Sequence, residues 1–393
     1  MNSRIELPVV VIGGGVLGAV SAWKLAGKYE RQKDTVYLFE KNACLGEEQT
    51  THSSGVNHAD IYYPPGTLKS RLCVLGNRKS KEFFLRHGVP YHSAIGGKMV
   101  VAVTPEDESI LEFYLQRAKE NGVPHVQIIP GHEIPSFEPN VRGRSALLAP
   151  TSGVFDAATY VNRLEQLAVD AGVTIIKNAE IVGINPSTAH GFEVSVVERN
   201  ERYCFRTYNL VNAAGLYAPK IAKMVNPENP YEIQPLRGEY YTFNKLKRPE
   251  LYLRGMNVYT TPKYAERDGH EYFSVGIHLT PTFELDADRK PVIGRTVLVG
   301  PTADPCDSLT DYKTFIHGPE HFADAMACII PGLRADDLEK GYIGIRAKLK
   351  LPKDDFIIER DKMFPGLRHV MADSPGLTCA TVIGDYVRDE LFS

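Results

Sequence analysis

Apolar residues recur along the chain with two different periods. "PVVVIGGG" (8–15) is an unbroken apolar run ending in glycines, the pattern of a strand buried on both faces. "VLGAVSAWKLAGKY" (16–29) follows with helical spacing and gathers Gly18, Ala19 and Ala22 on one side. "DTVYLFEK" (34–41) is a second short strand closed by charge. Strand, glycine turn, helix and strand make a βαβ unit, so a parallel sheet begins near the N-terminus. Helical patterns recur at about 67–87, 105–121 and 159–172. From 173 short strands alternate: "VTIIKNAEIVGI", "FEVSVVER" and "YCFRTYNLVNAAG". "APKIAKMV" (218–225) is helical, and about 231–310 is β-rich, punctuated by Pro and Gly. "GPEHFADAMACII" (318–330) and "GLTCATVIGDYVRDELF" (376–392) complete the helices.

No repeat, low-complexity tract or linker interrupts these patterns. Two domains that share the chain by turns are therefore expected. The first takes 1–90, 145–230 and 340–393, and the second, β-rich, takes 91–144 and 231–339. Composition changes this picture little. The 393 residues are 43% hydrophobic and 24% charged, with a formal net charge of -3. That suits a large core and gives no basic excess for nucleic acid. No apolar run approaches the roughly 20 residues of a bilayer span. With the strand run starting at Leu7, no signal or transit peptide is expected. The six cysteines are scattered, without a C-x-x-C pair or zinc-like histidine spacing, so reduced thiols and no metal are expected. The expectation is a cytoplasmic protein, with peripheral contact at the inner face of a membrane left open.

Gly13-x-Gly15-x-x-Gly18 follows a strand and opens a helix. The first glycine allows the tight turn, the second lets backbone approach a pyrophosphate, and the third lets helix pack on strand. Helix N–H groups and the dipole then face the phosphates. Glu40 closes the next strand, where a carboxylate accepts bonds from a ribose and repels a 2′-phosphate, which disfavours NADP. Two further glycine segments favour FAD over NAD. "LVNAAGLYAP" (210–219) brings Ala213, Ala214 and Gly215 to a strand–helix junction. "DSPGLTCAT" (373–381) opens a second helix with the N–H groups of Gly376, Leu377 and Thr378. "THSSGVNHADIYYPPG" (51–66) crowds histidines, hydroxyls and tyrosines into a segment whose turns do not require them.

These residues resemble the D-amino-acid-oxidase-like superfamily of FAD oxidoreductases. "QTTHSSGVNHADIYYPPGTLKSRLCVLGNR" (49–78), "GGKMVVA" (96–102), "GVFD" (153–156) and "PLRGEYY" (235–241) further resemble L-2-hydroxyglutarate dehydrogenases and oxidases. "VGIHLTPT" (275–282), "VLVGPTA" (297–303) and "GIRAKL" (344–349) continue the likeness in order. The resemblance implies an α/β fold in which a Rossmann-like, glutathione-reductase-like FAD-binding domain is interleaved with a β-rich substrate domain. It implies FAD held also by Val16, Leu17, Lys41 and Ile181, and by Thr51, His52, Ser53, Ser54 and Gly55. The implied reaction is oxidation of a small L-2-hydroxy acid to the 2-oxo acid by hydride transfer to flavin N5. Electrons then pass to a quinone, an electron carrier or oxygen.

His58 and His278 lie on matched segments, one expected as base and the other as a substrate hydrogen-bond partner. Imidazole suits a base because its ordinary pKa lies near neutrality. Arg346 is the leading cation for a carboxylate. Arg237 is second, with a pair to Glu239 as its structural alternative. Tyr63 and Tyr240 are expected in the substrate wall, and strand alternation lets only one of Tyr240 and Tyr241 face it. The chain has Ser53, Asn57 and Asp60 where the family usually has Asn, Ile and Gly, which points to a change in the acid oxidised. Alternatives on the same fold are an amine or amino-acid oxidase and a glycerol-3-phosphate or malate dehydrogenase. A flavin-binding scaffold or sensor is the non-enzymatic alternative.

Overall fold

The strand Val9–Ile12 is buried from end to end and lies inside a sheet, as its apolar run requires. In the computed structural model, which describes residues 5–29, 35–187, 191–267, 270–351 and 354–392, it is flanked by Asn209–Asn212 and Val36–Phe39. The sheet runs Ile357–Arg360, Leu367–Met371, Asn209–Asn212, Val9–Ile12, Val36–Phe39, Thr174–Ile176. All neighbours are parallel except the first pair. Helix Val16–Lys28 packs against helices Ala157–Asp170 and Gly376–Tyr386. A second apolar layer joins Val10, Ile12 and Phe39 of this sheet to Ile181, Val194 and Phe205 of the three-stranded meander Ala179–Thr207. The expected mixed α/β class is what the chain adopts.

The chain forms two compact units, 1–51, 157–235 and 346–393 in one, 52–156 and 236–345 in the other. Residues 52–90 and 145–156 thus group with the second unit, whereas their sequence placed them with the first. Local pairing is the reason. Val56–Asn57 and Tyr91–His92 both pair with Gly153–Phe155, and Ile61 and Tyr62 enter the core of the second unit.

That unit is built on a mixed sheet of nine strands among the described residues. Its centre is Asn257–Thr260, parallel to Lys98–Ala102 on one side and antiparallel to His278–Leu285 on the other. Alternation splits the residues cleanly. Met99, Val258 and Leu279 face the helix Pro319–Ala327, while Val100 and Tyr259 face helix Pro105–Glu120 with Tyr62 and Tyr114. Thr104 caps the latter helix by accepting from Asp107 N, and Asp107 reciprocates to Thr104 N. Among the described residues no helix is long and apolar enough to cross a membrane. Among the described residues no disulfide is formed by the six cysteines.

Candidate cofactor cleft and active-site residues

The first unit holds a cleft of about 1040 Å³, including its open mouth. Gly13, Gly15, Val16 and Leu17 line it, at the turn and first helical residues after the buried strand. Gly13 has φ +100, and a Cβ there would sit 2.6 Å from Ala213 O, so only glycine fits. Gly18 does not line the cleft. A Cβ on Gly18 would lie 1.8 Å from Gly13 O, which makes it the residue that lets helix meet strand. At Gly15 a Cβ would meet only Thr50 Oγ1, at 3.5 Å, so this position opens onto the cleft.

Glu40 and Lys41 line the next wall. Glu40 accepts from Gly14 N at 2.6 Å and Asn42 N at 2.7 Å, which fixes both oxygens beside the glycine turn. Burial raises its pKa, with those two N–H bonds acting in the opposite direction. Lys41 is paired with Glu48 at 2.5 Å and lies over the Tyr217 ring. Ile181, Ala213, Ala214 and Gly215 close a third side, and Gly376 and Leu377 a fourth. Thr378 is buried beneath them, away from the cleft lining.

Gln49, Thr50, Tyr217 and Lys220 also line the cleft and were not among the expected residues. Thr50 Oγ1 accepts from Val16 N at 3.1 Å, and Gln49 Oε1 from Leu216 N at 3.1 Å. The polar segment therefore begins two residues before Thr51, at Gln49. Thr51 itself turns back, with N and Oγ1 donating to Gly46 O.

These residues fit an FAD. The long cleft has glycines where backbone must approach a diphosphate and a fixed carboxylate where a ribose would end. It also offers two helix N-termini, those of Val16–Lys28 and Gly376–Tyr386.

The remaining expected residues lie mostly in the second unit. His52 sits in an aromatic nest, tilted against Tyr312 at 4.8 Å and edge-on to Tyr342 at 6.0 Å by ring centroids. Ser53 O accepts from Tyr342 Oη, and Ser54 Oγ shares a 2.8 Å hydrogen bond with Tyr240 Oη. Gly55 takes φ +61 against Phe155 O. His58 is half-buried, and its carbonyl is held by Asn77 Nδ2 at 3.0 Å. The same amide bonds Thr151 O, while Asn57 Nδ2 donates to Asn77 O. Asn57 Nδ2 thus braces the Asn77 that holds the His58 carbonyl. Asp60 accepts from Ser70 Oγ at 2.9 Å, and burial pushes its carboxyl up to about 8.

Tyr63 is half-buried, its carbonyl accepting from Asn121. Tyr240 and Tyr241 face opposite sides. Tyr240 stacks on Tyr342, and Tyr241 joins the apolar core beside Phe322. Arg237 is 6% exposed and engaged by Asp311 at 2.8 Å, by Thr314 O, and by Glu239 at 4.0 Å. Its guanidinium thus organises the 302–317 loops, a pairing with Asp311 that lies 74 residues away in sequence. In the first unit Arg346, 42% exposed, bonds Asp373 at 3.0 Å, just before the Pro375-Gly376 turn.

His278 is 3% exposed and stacks on Tyr259 with centroids 3.9 Å apart. Its Nδ1 lies 3.1 Å from Gly276 O. A carbonyl only accepts, so Nδ1 carries the proton and Nε2 presents a lone pair. Nε2 is buried and has no hydrogen-bond partner among the described residues. Burial first, and then the charge of Lys98, push the imidazole down to about 3.

The chain matches the FAD dependent oxidoreductase family over residues 8–390. It is 28% identical to the mitochondrial L-2-hydroxyglutarate dehydrogenase of Caenorhabditis elegans, covering 99% of this chain and 94% of that one. It is 30% identical to the glycerol 3-phosphate dehydrogenase of Caloramator mitchellensis, over 98% of this chain and 73% of that one. Among solved structures it resembles the L-alpha-glycerophosphate oxidase of Mycoplasma pneumoniae with FAD bound, at TM-score 0.82 and 23% identity, covering 98% of this chain and 94% of that one. It also resembles the glycine oxidase of Geobacillus kaustophilus, at TM-score 0.77 and 19% identity over 99% and 95%. Fingerprint, cleft and end-to-end similarity agree: the chain belongs to the FAD dependent oxidoreductase family, an enzyme family whose cofactor is FAD.

Proposed function

We propose that the protein oxidises a small L-2-hydroxy acid of the 2-hydroxyglutarate type to the 2-oxo acid. Bound flavin supplies the site that receives the hydride from the alcohol carbon. The observation that carries this reading is the open Nε2 of His278. With its proton committed to Gly276, the imidazole is neutral at ordinary pH and Nε2 accepts a hydrogen bond, while the burial that pushes it down to about 3 makes it a weaker base than a free imidazole. It accepts the substrate O–H, orients the alcohol, and draws off the proton as the C–H bond weakens. An amine reaches such a site as an ammonium and must shed a proton before oxidation, so a hydroxyl is the better match. The full-length likeness to L-2-hydroxyglutarate dehydrogenases supports the same choice. Oxidation of glycerol 3-phosphate is the second reading, favoured by the relative that bears that name.

Anaerobic flavin bleaching tests both. The panel is L-2-hydroxyglutarate, L-malate, L-lactate, glycerol 3-phosphate, glycine and L-proline. A 2-hydroxy acid is expected to bleach the flavin fastest, and bleaching by the amines alone would overturn the proposal. His278→Ala is expected to keep FAD and slow bleaching by about 100-fold or more. An unchanged rate there, with a slow His58→Ala, would move the base to His58.

A further inference from the structure

One face of the large sheet in the second unit carries polar groups that a packed core does not need. Lys98 pairs with Asn257, and Tyr259 with His278. Alternation puts Asn257 with Tyr259, and His278 with Thr280, on the same side. All five are at most 3% exposed. Among the described residues Asn257 Oδ1, His278 Nε2 and Thr280 Oγ1 are buried without hydrogen-bond partners. Lys98 Nζ lies 3.8 Å from the Tyr259 ring centroid and 4.9 Å from that of Tyr62. Among the described residues it has no hydrogen bond and no carboxylate partner.

Native interiors seldom leave one such group, let alone several on one face. The aromatic faces offset part of the cost of burying an ammonium, but they do not neutralise it. An unmatched cation among unmet hydrogen-bonding atoms is complemented by a ligand that brings both a carboxylate and hydroxyls. The imidazole of His278 covers one face of Tyr259 at 3.9 Å, so Lys98 at 3.8 Å takes the other. The phenol therefore separates the ammonium from the nitrogen that would accept the reacting hydroxyl. That separation suits a carboxylate further along the substrate chain.

We infer that Lys98 is the residue that selects a dicarboxylic hydroxy acid, by ion-pairing with the carboxylate remote from the reacting carbon. The inference rests on the hydroxy-acid reading above and names the side chain that sets its substrate class. Burial also pushes Lys98 down to about 7, with Cys73, Tyr62, Tyr259 and His278 as the titratable groups that face it. An arriving carboxylate then holds the proton on the amine.

Lys98→Met preserves length and removes the charge. The FAD-loaded variant is compared with the parent in anaerobic reduction by L-2-hydroxyglutarate and by L-2-hydroxyvalerate, which has a methyl in place of the second carboxylate. The expected result is a loss of about 100-fold or more in kcat/KM for the dicarboxylate, mainly in KM. The monocarboxylate should change by less than about threefold. Thermal stability should be equal or higher, because a buried charge has been removed. Equal losses for both acids, or no loss for either, would overturn the inference. Lys98→Gln serves if the methionine variant does not fold. If no hydroxy acid bleaches the parent, the hydroxy-acid reading fails, and glutarate titration by calorimetry decides Lys98 separately. Binding by the parent that Lys98→Met abolishes supports the carboxylate site. Absent binding, or equal binding by both, refutes it.

Discussion

Single residues differ sharply in how far their sequence neighbours announce their role. Asp60 stands next to a candidate base, and a charge there suggests electrostatic tuning of His58 or of substrate. Its carboxyl instead bonds Ser70 in a buried, left-handed turn with φ +62. The pH consequence has a definite sign. The folded group titrates at about 8 and the unfolded one near 3.8, so the folded state retains a proton that the unfolded state releases. Stability is therefore lost as pH rises through that window. Asp60→Asn, which also tolerates positive φ, is expected to melt higher than the parent at pH 8 by about 2 °C or more. The gap should close toward pH 4.5. A constant gap in thermal melts across that range would show that Asp60 is not protonated in the folded state. Arg237 teaches the same lesson from the opposite side. Its charge suggests a carboxylate ligand, yet Asp311, remote in sequence, engages it. Lys98 carries no local mark at all, because a lysine inside a strand segment gives no sign that the side chain is buried.

Elements were easier to read than residues, because their causes are local. The strand–glycine–helix unit, the helices Leu68–His87 and Pro105–Glu120 and the final helix follow the apolar periods closely. Pairings between distant strands, such as Lys98–Ala102 with Asn257–Thr260, leave no local trace. The glycine turn yields a paired prediction. Gly15→Val adds a side chain at the cleft lining, and its Cβ would meet only Thr50 Oγ1, at 3.5 Å. It should fold and purify colourless. Gly18→Ala drives a methyl to within 1.8 Å of Gly13 O, so it should lower stability itself, by about 2 kcal/mol or more. Circular dichroism melts with flavin absorbance separate the two. A yellow Gly15→Val protein would show that the dinucleotide lies elsewhere.

At the scale of the whole molecule, each unit is assembled from separated stretches of chain. The sequence indicated this interleaving by lacking a linker. The boundary near residue 51 was hidden, because it depends on the short strand Val56–Asn57 finding Gly153–Phe155. FAD should stabilise the fold by mass action. Titrating FAD into apoprotein to 100 times Kd is expected to add about 2.7 kcal/mol, seen as a concentration-dependent rise in Tm. A Tm independent of FAD would argue that the cofactor binds folded and unfolded chains alike. The sheet order of the first unit also has a consequence for biosynthesis. Asn209–Asn212 needs Leu367–Met371 on its open side. A ribosome adding about 5–20 residues per second delivers that partner roughly 8–30 s later. Throughout that interval the nascent polypeptide presents an unpaired edge of Leu210 and Val211, a template for association with other nascent chains. Yield during expression, more than activity after purification, is the property this topology exposes, and slower growth or added chaperone should raise it.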